Sequence, residues 1–161
     1  ENMVNQNEER IELKNLIGEN DNWKSTKYLI DNFNHIKWHT VYDFWCKLKG
    51  KLEQEKDLKV NSYPEKFNET IGYVTHDKKD INHGITFKTQ EGELIYISSF
   101  AGNLTWGILQ NDNKEWFYFK HNTLKQIDFS NFSTENTFRL INEQHLESAV
   151  SQIVDEIMHE V

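Results

Sequence analysis

Two histidines and two aspartates, His76, Asp77, Asp80 and His83, bracket one polar loop of this 161-residue chain. Imidazoles and carboxylates that approach one another hold divalent metals. The spacing here fits no strong metal motif, and Lys78 and Lys79 stand among the would-be ligands. A solvated turn is therefore the expectation, and no metal ligand is assigned. Nucleophilic chemistry finds less support. The single cysteine, Cys46, has no second thiol for a disulfide or a metal knuckle. Its apolar helical surroundings predict a packed, inert thiol. No Gly-x-Ser-x-Gly elbow occurs, the seven histidines are scattered without a pattern around Cys46, and no glycine-rich phosphate loop is present. These residues assign no catalytic group and no cofactor.

The remaining chemistry is aromatic. Between Glu93 and Lys120 stand Tyr96, Phe100, Trp106, Trp116, Phe117, Tyr118 and Phe119, rings on which bases or a flat ligand can stack. Trp106, Trp116 and Tyr118 are the candidate ligand- or partner-binding residues. Strand alternation sends Trp116 and Tyr118 one way and Phe117 and Phe119 the other. That favours a plainer reading, in which one face is core and the second lies beneath a helix or a partner.

The elements that must position these rings read as α+β. Leu94–Phe100, Leu104–Gln110 and Glu115–Lys120 form an antiparallel meander rich in aromatic and β-branched residues. Gly102-Asn103 suits a hairpin with glycine first, and Asn111–Lys114 a slightly longer turn. Earlier strands are predicted near Phe67–His76 and around Ile85 and Phe87, and a short final one over Leu124–Phe129. Three helices precede the sheet: Asn5–Ile17, ended by Gly18; Ser25–Ile36, with Tyr28, Leu29, Phe33 and Ile36 at helical spacing; and one capped by Thr40, with Asp43 completing a capping box. The last carries the stripe Val41, Phe44, Trp45, Leu48 and Leu52. A closing helix spans Glu143–Val161, with Leu146, Val150, Ile153, Ile157 and Val161 on one face. The expected fold is one α+β domain over 1–161, with a helical region over 1–56, a sheet over 59–130 of five to six antiparallel strands, and a closing helix over 143–161. N-terminal helices and the long C-terminal helix pack against that sheet.

Charge narrows the partners. The formal net charge of −8 lowers the case for gripping a phosphate backbone directly, and equally for docking on anionic membranes. No run of spanning length and no signal-peptide pattern is present, which together with the lone cysteine predicts a cytoplasmic protein. Sequons at Asn68, Asn103 and Asn131 are read as chance. The opening Glu1-Asn2-Met3 is read as that of a piece of something longer.

Ile36–Leu48, reading IKWHTVYDFWCKL, followed by a meander containing Trp106-Gly107-Ile108 and a closing helix, resembles the C-terminal region of bacterial proteins of the PD-(D/E)XK nuclease superfamily, defence-associated ones among them. The resemblance covers Ile36 to Val161. It implies a parent protein whose nuclease core holds Mg²⁺ with an Asp and a Glu-x-Lys on adjacent strands. That core is not matched here. Glu12-Leu13-Lys14 falls in a predicted helix, and Asp57-Leu58-Lys59 has no acid-bearing partner strand. The chain is therefore expected to be a non-catalytic accessory domain, partnered by a protein or by a nuclease-like domain of the same parent chain. The alternatives are a small metal-dependent nuclease using Asp57, Glu69 and Lys88, or a stand-alone acidic interaction protein of inhibitor or antitoxin type. A homodimer is expected if the closing helix carries a broader stripe than the sheet covers.

Overall fold

The computed structural model describes residues 2–55, 58–62, 83–100, 103–109, 116–120, 127–129, 132 and 134–160. The chain forms two compact units, Glu1–His35 and Ile36–Val161, where the sequence alone suggests one domain.

In the first unit, helix α1 (Asn2–Gly18) and the start of helix α2 (Asn22–Gln54) flank a three-residue turn. Glu, Arg and Lys between Glu8 and Lys14 favour the helical state, and Gly18 ends it. Asn20 and Asp21 then take φ values of 45° and 66°, the left-handed region that these two residue types tolerate better than most. The amide of Asn22 donates to the Glu19 carbonyl at 2.8 Å, and its side-chain Nδ2 to the Leu16 carbonyl at 2.9 Å. The turn is thus held from both sides.

Helix α2 continues to Gln54 where two helices are predicted with a boundary at Thr40. Nothing from Ile36 to Thr40 breaks a helix. Thr40 donates its Oγ1 to the Ile36 carbonyl at 2.9 Å, the back-bond of a threonine inside a helix rather than the capping contact of one at its start.

The second unit holds one antiparallel sheet of strands β1 (Leu58–Ser62), β2 (His83–Thr89), β3 (Leu94–Phe100), β4 (Asn103–Leu109) and β5 (Trp116–Lys120), in chain order. β1 is not among the predicted strands. It pairs Leu58 with Thr89 and Val60 with Phe87. Thr89-Gln90-Glu91-Gly92 closes the β2–β3 hairpin, with Gly92 at φ 93° and its amide donating to the Thr89 carbonyl at 3.1 Å. Glycine meets that positive φ at least cost. Asn103 is already a strand residue paired with Phe100, so it is not a central residue of the turn predicted at Gly102-Asn103; Gly102 itself lies outside the described residues. The predicted strand at Phe67–His76 and the turn at Asn111–Lys114 lie outside the described residues. Of the predicted strand Leu124–Phe129 only residues 127–129 are described: Asp128 makes a lone bridge before a turn, and Leu104 donates its amide to the Ile127 carbonyl at 3.3 Å.

Register explains which residues share a face. Ile85 pairs with Ile97, Phe87 with Ile95, and Ile97 with Trp106, and all five are buried. Val41, Phe44, Trp45, Leu48 and Leu52 of α2 join them in one core with Leu146, Val150, Ile153, Val154 and Ile157 of the closing helix α4 (Glu143–Glu160). Phe44 sets its ring edge-on to Trp45 and to Phe129, with centroids 5.3 and 5.1 Å apart. Such pairs add to plain burial. The short helix α3 (Glu135–Arg139) is capped by Thr134, whose Oγ1 accepts from the Thr137 amide at 3.2 Å. Thr137, fully buried, accepts the Asp128 amide on its own Oγ1 at 2.7 Å, which ties α3 to the segment before it.

Across the other face, Ser98 and Thr105 join hydroxyls at 3.1 Å, and Tyr96 stands opposite Gly107. An aromatic ring beside a strand glycine fills the space its missing side chain leaves. This accounts for the glycine between Trp106 and Ile108.

Candidate functional site

Few of the residues singled out for chemistry have described side chains. Trp106 is 2% exposed and belongs to the core, and its indole Nε1 has no hydrogen-bond partner among the described residues. A ring covered in this way offers no face for a stacked ligand. Trp116 and Tyr118 are placed by backbone only, as the register partners of Leu109 and Ile108. His83 opens β2 opposite Ser99, while His76, Asp77 and Asp80 lie outside the described residues. So do Asp57 and Glu69. Lys88 is an exposed β2 residue whose neighbour across the ladder is Lys59, a like-charge pairing. Among the described residues, no three His, Cys, Asp or Glu side chains converge as metal ligands would. Cys46 is half-buried and packs against the core. Its thiol, through a hydrogen bond, holds the Tyr42 hydroxyl above the ordinary tyrosine range.

What the structure offers instead is an apolar surface on the first unit. On α1, Ile11, Leu13 and Leu16 are all more than half exposed. On the first turns of α2, Trp23 and Leu29 match them, and Tyr28 and Ile30 reach 69% and 71%. The spacing that predicts a buried stripe at Tyr28 and Leu29 is present, yet all the buried residues described lie from Thr40 onward. Scattered single exposures need no explanation; here seven large apolar side chains fall between Ile11 and Ile30. Lys24 pairs with Asp21 at 2.9 Å, and Lys27 with Asp31, so charges of both signs border the apolar residues.

A second cluster is electrostatic and links α2 to α4. Lys47 Nζ lies 3.1 Å from Glu147 and 3.3 Å from Glu143. Lys51 Nζ lies 3.6 Å from Glu147 and donates to Ser151 Oγ at 2.8 Å. The hydrogen bond from Lys47 holds the Glu147 carboxyl below its ordinary range, and those to Glu147 and Glu143 raise the Lys47 ammonium. The depressed carboxyl stabilises the fold above the unfolded glutamate range, and this is lost as pH falls through its folded value. The raised ammonium stabilises below the unfolded lysine range, and this is lost as pH rises through its folded value. Thermal melts of the wild type and Lys47→Met across the acid limb are expected to differ at neutral pH and to converge in acid, with a smaller difference in high salt. A difference that holds through the acid limb would show that the ion pairs contribute nothing.

No helix among the described residues is long and apolar enough to cross a membrane. Set against protein-family models, curated proteins and solved structures, the chain matches none.

Proposed function

We propose that this chain is a non-catalytic interaction module, cytoplasmic and accessory to a nuclease-like protein of the bacterial PD-(D/E)XK superfamily. The observation that carries the interaction role is the apolar surface of Glu1–His35, on helices whose side chains are left open from Ile11 to Ile30. Apolar side chains of this size and number left open to water are stabilised by a cover. The nuclease link rests on Ile36–Leu48 and Trp106-Gly107-Ile108.

The test is photo-crosslinking in cells, with a benzophenone amino acid at position 28. An adduct between this position and a protein chain is expected. No adduct from position 28, together with magnesium-dependent DNA cleavage that disappears on substituting Asp57 or Glu69, would replace the module with the nuclease alternative.

A further inference from the structure

We propose that the sheet face turned away from the core holds a nucleotide, with its phosphate between Lys59 and Lys88 and its base against Tyr96. The site lies in the second unit and goes beyond the interaction role of the first.

Charge is the first argument. Lys59 and Lys88 are direct partners across the β1–β2 ladder, and both are exposed. Among the described residues neither is ion-paired, whereas Lys24, Lys27, Lys47, Lys49 and Lys51 of α2 all meet carboxylates. Like charges directly opposite one another destabilise a ladder, and an anion bound between them turns that repulsion into attraction. The rows of this face run Lys59–Lys88, Thr86–Tyr96 and Ser98–Thr105. No aspartate or glutamate stands in them, in a chain with 26 acidic residues. Lysine ammoniums hold phosphate as point charges.

Burial is the second argument, and it calls for a ligand with two unlike ends. Lys59 and Lys88 stand in water, Thr86 and Tyr96 in the next row are half-buried, and Ser98 and Thr105 beyond them are 4% and 6% exposed. A ligand lying along these rows keeps its charge at the wet end and its flat part at the drier one. Lys88 and Tyr96 are diagonal neighbours, about 7–8 Å apart, so a base joined to a phosphate at Lys88 reaches the phenol ring. Tyr96 shares a side-chain hydrogen bond with Ser98, which fixes the ring that the base stacks on.

Net charge limits the size of the ligand. A chain at −8 repels a long polyanion more than a single phosphate. A free nucleotide or the 5′-phosphorylated end of a single strand therefore fits, and a duplex does not. An acidic peptide satisfies the lysines but leaves Tyr96 unused.

The test is titration calorimetry on the whole chain with AMP, adenosine, inorganic phosphate and a 5′-phosphorylated tetranucleotide. The wild type is expected to bind AMP more tightly than adenosine or phosphate. Lys59→Gln/Lys88→Gln weakens AMP by about tenfold or more, yet melts no lower than the wild type because the like-charge pair is gone. Tyr96→Leu weakens AMP by roughly tenfold and leaves phosphate binding unchanged, and Lys14→Gln alters neither. A tetranucleotide bound as tightly as AMP, or more so, supports the site with a strand end as its ligand; one bound more weakly supports it with the free nucleotide. No binding of AMP to the wild type at about 1 mM, or AMP binding that survives the double lysine substitution, overturns the proposal. Phosphate bound as tightly as AMP, with no effect of Tyr96→Leu, overturns it too. None of these variants touches position 28, so the crosslinking test of the interaction role succeeds or fails separately.

Discussion

Replacing Phe44 by alanine is expected to cost about 3–5 kcal/mol of stability, a large share of the roughly 5–15 kcal/mol that holds a domain together. The ring is fully buried and meets Trp45 and Phe129 edge-on. Truncation loses its transfer energy and its ring–ring contacts, and leaves a hole that rigid neighbours on a helix and a sheet fill only partially. Urea titration is the measurement: the midpoint falls while the slope against denaturant is kept. Tyr28→Ala, on the same helix but 69% exposed, is expected to move the midpoint of the second unit by no more than about 0.5 kcal/mol. Equal effects at the two positions would contradict the described core.

Gly84→Ala is expected to be the most damaging single-methyl change. A Cβ built at Gly84 meets the Ile97 carbonyl oxygen at 2.0 Å and Ser98 Cα at 2.9 Å. These are backbone atoms of β3, directly across from β2, and no rotamer change relieves them. β2 must separate from β3 at that point, which gives up ladder hydrogen bonds in the interior of the sheet. The cost is expected at about 3 kcal/mol, within the range of overpacked cores, or about 6–12 °C in melting temperature for a chain of this length. Gly50→Ala is the control. No neighbouring atom lies within 4 Å of its added Cβ, and alanine favours a helix interior by up to about 1 kcal/mol. Gly84→Ala melting with the wild type would show that the strands are not as close as described.

The sequence is most legible where local pattern and tertiary burial agree. Val41, Phe44, Trp45, Leu48 and Leu52 read as one stripe, and all five are buried. Alternation likewise locates β3, β4 and β5 to within a residue or two of their ends. Thr40 misleads because a threonine before an acidic residue signals a helix start only where the preceding turn is not already helical. Leu58–Ser62 is hard to see because two apolar residues in five carry little periodicity, and its strand state comes from pairing with β2. Alternation also shows that Trp106 shares a face with Ile108, but not that this face is the covered one. The candidate surface is the least legible feature. Tyr28 and Leu29 have the spacing of core residues, and only the packing of the chain leaves them open.

Hydrogen exchange on the amides of residues 8–35, with and without cell extract, is the most direct probe of whether this surface is made to be covered. Protection that rises in extract for the wild type and stays low in Tyr28→Asp/Ile30→Asp is the expected result. Exchange at the same rate in both proteins, with and without cell extract, would mean that the surface has no partner, and the proposed function would fall.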